Sequence, residues 1–256
     1  MTGSNGKKLI ARLDSASLSF GEAVVLHNCS LDVVEGAITC IVGLSGAGKS
    51  TILRLIDGLL KPTGGRVYVG DRSIGEMSED QLIEIRQRIS LSFQFAALLD
   101  SLTVGDNVAL PLRERSTYTE AETRKQVMDA LESVGLAHAY HLFPSELSGG
   151  MLKRAGFARA IVTHPELILY DEPTTGLDPI VTHLITDTIV KLREKLNGTA
   201  VVISHDLHSI FMMADYVAML FEGAIIAYDT AENIKNTDNP IVQQFLQGSE
   251  KGPIPL

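Results

Sequence analysis

The stretch Gly43-Leu44-Ser45-Gly46-Ala47-Gly48-Lys49-Ser50-Thr51 has the residue types and spacing of a loop built to hold phosphate. Glycines let a backbone curl until successive N–H groups face one point, and a following helix adds the positive end of its dipole. In that setting the Lys49 ammonium reaches the β- and γ-phosphates of a nucleotide, and the Ser50 hydroxyl is a ligand for Mg²⁺. A second set of oxygens comes from Leu167-Ile168-Leu169-Tyr170-Asp171-Glu172, an apolar run ending in two carboxylates. Ligands bind at the carboxyl ends of strands in an open α/β sheet. Asp171 is therefore placed to hold Mg²⁺ through water, and Glu172 to take a proton from an attacking water. A third stretch, Leu147-Ser148-Gly149-Gly150-Met151, joins a natural helix N-cap to two glycines that let a backbone come close to a ligand.

These residues need elements to position them, and the flanking sequence supplies those. The apolar run 37–42 reads as the strand that feeds the phosphate loop, and 52–56 opens an amphipathic helix after it. Downstream, helix and strand patterns alternate: helix 150–163, strand 167–170, helix 179–196, strand 200–204, helix 207–214, then strands 216–221 and 224–228. Apolar strands flanked by helices predict a mostly parallel sheet covered on both faces. Upstream, 9–20 and 23–34 alternate in the β manner around a Gly21-Glu22 turn, and 66–69 follows Gly64-Gly65. Together, 9–35 and 64–72 predict a small antiparallel sheet beside the nucleotide core. Segment 78–88 predicts a helix with Ser78 as N-cap and Gln81 completing a capping box, and 89–93 a short strand ending at Gln94. From 95 to 150 helical periodicity takes over, with helices at 104–112 and 120–134, the latter presenting Val127, Met128, Leu131 and Val134 on one face. The residues from 230 to 256 hold one more amphipathic piece, 240–246, before an end rich in glycine and proline, for which disorder is expected.

Composition narrows the function classes. The 256 residues are 45% hydrophobic and 21% charged, the balance of an ordinary globule with a sizeable core. A net charge of −9, with no basic run interleaved with aromatics, disfavours nucleic acid as a partner. The two cysteines, Cys29 and Cys40, sit in strand-like apolar runs and are expected to be buried free thiols in a reducing compartment. Residues 1–8 lack the apolar centre of a signal peptide. The apolar stretch 209–228 is cut by Asp215 and by Glu222-Gly223 into pieces too short to cross a bilayer.

The phosphate loop, Gln94, Leu147-Ser148-Gly149-Gly150, the Asp171-Glu172 strand, Gly176-Leu177-Asp178 and His205 occur in one order over roughly residues 9–230. In that order they resemble the nucleotide-binding subunit of an ABC transporter. The resemblance implies an α/β fold with a RecA-like P-loop NTPase core, the antiparallel β-subdomain and an inserted helical subdomain at 95–150, all within an ATPase domain spanning 1–229. It implies ATP and Mg²⁺ as cofactors. Lys49, Gln94, Glu172 and His205 would act in hydrolysis, Gln94 sensing the γ-phosphate and joining Ser50 and Asp171 at Mg²⁺, and His205 bonding the γ-phosphate. Phe20 would stack on adenine, where most family members have Tyr. Ser148, Gly149, Gly150 and Asp178 would serve the ATP held by a second chain, so that a head-to-tail homodimer completes two composite sites. Two further positions depart from the usual pattern: Met151 replaces a common Gln, and Thr175 stands where Ala or Ser is frequent.

The segment from Phe95 to Leu112, with Leu98, Thr103, Val104, Asn107, Val108, Pro111 and Leu112, is similar to the Mla-type ATPases of bacterial phospholipid transport, as is Met151 after Ser-Gly-Gly. That likeness implies a peripheral subunit on the cytoplasmic face of the inner membrane. It would dock beneath a permease dimer near Gln94 and the helical subdomain, with an MCE-domain protein beyond the permease and a STAS-domain protein on the ATPase. It also implies that the tail, 230–256, contacts the other ATPase subunit, contrary to the disorder expected from its composition. An ATPase for amino-acid import or lipoprotein release would share the catalytic motifs, with Gln commoner at 151. A soluble repair or ribosomal ATPase would carry a coiled-coil insertion, zinc-spaced cysteines or tandem motifs, and this sequence has none.

Overall fold

A computed structural model of the protein describes residues 1–3, 6–94, 96–115 and 118–255. Phe95, which opens the helical segment, and Leu256 lie outside the described residues. In chain order the elements begin with β1 (Leu9–Phe20), β2 (Ala23–Val34), β3 (Ile38–Val42), α1 (Lys49–Ile56), β4 (Gly64–Val69), β5 (Arg72–Ser73), α2 (Glu79–Arg86) and β6 (Ile89–Ser92). Three helices follow, α3 (Val104–Arg115), α4 (Glu120–Ser133) and α5 (Gly149–Ile161). Then come β7 (Leu167–Asp171), α6 (Pro179–Leu196), β8 (Thr199–Ile203), α7 (Leu207–Met213), β9 (Tyr216–Phe221), β10 (Ala224–Thr230), α8 (Ala231–Lys235) and α9 (Pro240–Gln247).

The main sheet runs β10-β9-β3-β8-β7-β6. All its pairings are parallel except the β9–β10 hairpin, whose turn residues Glu222 and Gly223 both have positive φ, as a tight hairpin requires. Strands β3 and β8 are buried at every residue, which is why they read as unbroken apolar runs rather than alternating ones. Successive side chains still point to opposite faces. Cys40, Val42, Tyr170 and Val202 pack into a core with α5, α6 and the inserted helices. Ile41, Leu169, Val201 and Ile203 pack into a second core with α1 and the antiparallel sheet. The sheet thus separates two cores, and the phosphate loop leaves β3 at its rim.

The second sheet, β2-β1-β4-β5, is antiparallel throughout. Its alternation is interrupted: Ser15 and Asn28 take left-handed backbone angles, and the β1–β2 register shifts around them, the signature of bulges. The expected capping box of α2 is present, Ser78 Oγ accepting from the Gln81 N–H and Gln81 Oε1 from the Ser78 N–H. Of the face expected on α4, Val127 and Leu131 are fully buried and Met128 is partly so. Helix α3 runs past the expected 112 to Arg115 with Pro111 inside it. Proline there forfeits one backbone bond, the one an N–H at 111 would have made to the Asn107 carbonyl. Both cysteines are free and buried, as expected, and burial pushes the Cys29 thiol up to about 11. Among the described residues no helix is long and apolar enough to cross a membrane.

The chain end departs from the expectation of disorder. Segment 248–255 has neither helix nor strand, as its prolines and glycines dictate, yet it is packed. The Gln244 side chain on α9 does the holding: its Oε1 accepts from the Ile254 N–H at 2.7 Å and its Nε2 donates to the Ser249 carbonyl at 3.1 Å. Ile254 is thereby buried in the same core as Val242 and Ile234. One side-chain amide replaces the ladder that the local sequence cannot form.

Candidate nucleotide site

Loop 43–48 owes its shape to three positions. Gly43 has φ 147°, and a Cβ there would lie 2.1 Å from the Leu220 carbonyl oxygen on β9. Gly46 and Gly48 also have positive φ. Helix α1 begins directly after the loop with no side-chain cap, whereas α2 and α4 to α9 are all capped by a side chain. The first N–H groups of α1 are therefore left for a ligand. Lys49 folds back so that its ammonium donates to the Gly43 and Leu44 carbonyls, 2.9 Å each. Burial holds its pKa below the ordinary lysine value, with Glu172 and Asp171 pulling the other way. An ammonium held on the loop carbonyls is a fitting counter-charge for a phosphate bound in the loop.

The end of β7 meets this loop. Ser50 Oγ donates to Asp171 Oδ1 at 3.0 Å. Hydroxyl and carboxylate are hard oxygen donors side by side and fit Mg²⁺, which takes one or two protein carboxylates and completes its shell with phosphate and water. Among the described residues no cluster of three or more His, Cys, Asp or Glu forms a metal cage, so an ion here would depend on phosphate oxygens. Glu172, 8% exposed, turns the chain with φ 52° and is pinned by its N–H to the Ile203 carbonyl. Its Oε1 meets His205 Nε2 at 2.8 Å, and its Oε2 accepts from Thr175 Oγ1 at 3.0 Å.

Lys49, Ser50, Thr51, Gln94, Asp171, Glu172 and His205 line one cleft of about 390 Å³, together with Ser45, Gly46 and Gly48. Gly43, Leu44 and Ala47 belong to the same loop, and the remaining expected residues lie elsewhere. Phe20, 54% exposed, sits beside the β1–β2 turn, while Val25 of β2 reaches the cleft wall. Ser148 caps α5, accepting from the Met151 N–H at 3.3 Å, and is exposed with Gly149. Gly150 lies under Val181, whose Cγ1 is 2.6 Å from where a Cβ would be. Asp178 caps α6, its Oδ1 accepting from the Ile180 and Val181 N–H groups. A larger hollow of about 740 Å³ beside the cleft is lined by Leu177, Ile180 and His183 among others, and Ile180 is 83% exposed. It has no phosphate-binding backbone.

Several residues that shape the site are not among the expected site residues. Lys153 on α5 is buried and donates to the Gln94 carbonyl. Arg159, two turns on, donates to the Ala96 and Ala97 carbonyls at 2.6 and 2.7 Å, and both alanines have positive φ. Asn107, fully buried, accepts from the Leu99 N–H and donates to the Leu99, Leu102 and Thr103 carbonyls. The helix carrying Ser148-Gly149-Gly150 at its start thus grips the loop after Gln94. Nothing in the sequence around Lys153 or Arg159 distinguishes them from surface residues, and Asn107, though part of the run 95–112 that carries the resemblance, gives no sign there of this bonding.

A parallel sheet with a glycine loop between β3 and α1, and two carboxylates at the end of β7, defines a P-loop nucleoside triphosphatase. The chain belongs to the ABC transporter family: the family model matches residues 26–175. It is 42% identical to the intermembrane phospholipid transport system ATP-binding protein MlaF of Haemophilus influenzae, over 91% of this chain and 89% of that one. It is equally similar to MlaF of Escherichia coli K12, over 95% and 91%. Among solved structures it resembles an ATP-binding cassette in a dimeric post-hydrolysis state bound to ADP and Pi, with TM-score 0.78 and 32% identity over 86% of this chain and 98% of that one. The chain is accordingly an ATP-binding, ATP-hydrolysing subunit of that family.

Proposed function

We propose that this chain drives phospholipid transport from the cytoplasmic face of a bacterial inner membrane, working as a head-to-tail homodimer docked on a permease. The observation that carries the dimer is the incompleteness of the cleft. It gathers Lys49, Ser50, Asp171, Glu172 and His205, but none of Ser148, Gly149, Gly150 or Asp178. Ser148, Gly149 and Asp178 are exposed beside the bare Ile180 side chain, with Gly150 beneath Val181, and the economical arrangement sets this face over the cleft of a second copy. The lipid substrate is supported by the naming of the two phospholipid-transport relatives. By the same reading the permease docks near Gln94 and the helical segment, with MCE-domain and STAS-domain proteins completing the assembly. The exposed tail residues Glu250 to Pro253 would touch the second ATPase while Ile254 stays anchored in its own chain.

In this reading Lys49 exchanges its loop carbonyls for phosphate oxygens, and Phe20 packs on the adenine. Ser50 and Asp171, with Gln94, would hold Mg²⁺, which supplies charge neutralisation on the β- and γ-phosphates. His205 turns from Glu172 to the γ-phosphate. Glu172 accepts a proton as water oxygen bonds to the γ-phosphorus and the bond to the β–γ bridging oxygen breaks, leaving ADP and inorganic phosphate. ATP bound between two chains holds them together, and its hydrolysis releases them. A Glu172→Gln chain, which binds ATP without removing that proton, should accumulate as a dimer by light scattering in ATP. A variant that stays monomeric overturns the proposed dimer. Mass spectrometry of the intact complex from native membranes should find phospholipid and an MCE-domain protein. An amino-acid-binding protein in their place overturns the lipid assignment.

A further inference from the structure

We infer that Thr175 is a positioning residue for hydrolysis, holding the Glu172 carboxylate in the orientation from which it takes a proton. The inference rests on the ATPase reading of the same cleft and adds a group to it. Both Glu172 oxygens are engaged, Oε1 by His205 Nε2 at 2.8 Å and Oε2 by the Thr175 hydroxyl at 3.0 Å. The two partners differ in kind. The His205 side chain is nearly half exposed and stands on a different segment, after β8, so it can leave. Thr175 stands three residues along the same turn, with its own N–H bonded to the Glu172 carbonyl at 3.3 Å. Whatever moves Glu172 carries Thr175 with it. When His205 departs, Oε1 is freed into the cleft while Oε2 remains held.

That division suits the chemistry. A general base needs one open oxygen at hydrogen-bonding distance from the water and a carboxyl plane that does not wander among rotamers. The Glu172 backbone, left-handed and pinned to Ile203, directs the side chain. Among the described residues the Thr175 hydroxyl is the hydrogen-bond donor that holds the far end of that side chain once His205 has gone, with the Lys49 and Lys153 charges acting on it at longer range. The threonine methyl makes no comparable polar contact, so the contribution belongs to the hydroxyl. Serine can supply it, and valine, of the same shape, cannot.

The test uses the complete transporter in lipid nanodiscs, carrying wild-type, Thr175→Val, Thr175→Ser or Glu172→Gln ATPase. ATP turnover, its KM and the melting temperature are measured for each. Thr175→Val should lower kcat about tenfold, the loss expected of one hydrogen bond to an ionised group. KM and melting should stay close to wild type, and Thr175→Ser should recover kcat to within about twofold. Wild-type kcat in Thr175→Val, an effect confined to KM, or a Thr175→Ser variant as slow as Thr175→Val would each overturn the inference. Full turnover in Glu172→Gln would instead overturn the assignment of Glu172 as the base, on which the inference rests, so the two failures are distinguishable.

Discussion

Replacing Gly43 by alanine tests whether the phosphate loop is shaped by backbone conformation alone or by its packing on β9. The built Cβ lies 2.1 Å from the Leu220 carbonyl oxygen, 3.1 Å from its carbonyl carbon and 3.6 Å from its Cα. All are backbone atoms of a strand buried at five of its six residues, so no flexible side chain can yield. Loop or strand must shift by more than an ångström to restore contact distance. To that overlap is added the strain of φ 147° for a residue with a Cβ. Together these should cost about 3–5 kcal/mol, the strain and overpacking contributing comparably. Gly46 is the internal control. It also has positive φ, 78°, but a Cβ there meets nothing within 4 Å, so Gly46→Ala should cost only about 1 kcal/mol. At about 2–4 °C per kcal/mol for a chain of this size, calorimetry should find Gly43→Ala melting about 10 °C below wild type and Gly46→Ala about 3 °C below. Gly43→Ala should also weaken ATP binding, because the displaced loop takes the Lys49 partner carbonyl with it. Equal melting shifts for the two variants would refute the packing argument.

Asp57, at the end of α1, is buried and its carboxyl is pushed up to about 6, chiefly by burial, with Arg86 opposing. An acid raised above its unfolded value costs nothing while both states are protonated, and the cost grows until pH passes the folded value. Asp57→Asn should therefore stabilise the protein by up to about 3 kcal/mol at pH 7.5 and by about half that at pH 5. A gain that does not shrink on acidification refutes the assignment. Gln244→Ala should release the Ile254 amide, so that residues 249–255 exchange deuterium at rates near those of an unstructured peptide while the P-loop core keeps its protection. Retained protection at Ile254 would mean that packing, not the side-chain clasp, orders the tail.

What was legible in the sequence was local. The Gly43–Thr51 loop declares itself because phosphate binding needs glycines, a lysine and a hydroxyl at fixed spacing between a strand and a helix. The buried strands β3, β7 and β8 declare themselves as apolar runs, and α2 by its Ser78–Gln81 box. Helix α6 was readable to the residue, since Asp178 caps its start and Asn197, in a left-handed conformation, ends it. The tail was misread from composition, because the residue that orders it, Gln244, forms hydrogen bonds across the chain reversal at Gly248 to a partner ten residues on.

The sequence by itself determined the chemistry on offer, namely which residues can hold phosphate, ligate a cation and accept a proton. Its periodicities determined the sheet and helix inventory, because secondary structure answers to spacings of two to four residues. Only the tertiary structure decided that Glu172 meets both His205 and Thr175, and that Lys153 and Arg159 grip the loop after Gln94. Only there does it emerge that Ser148 and Asp178 do not line the cleft their own chain builds. Those are relations between segments up to about a hundred residues apart, set by how two cores close around one sheet, and no local pattern encodes them.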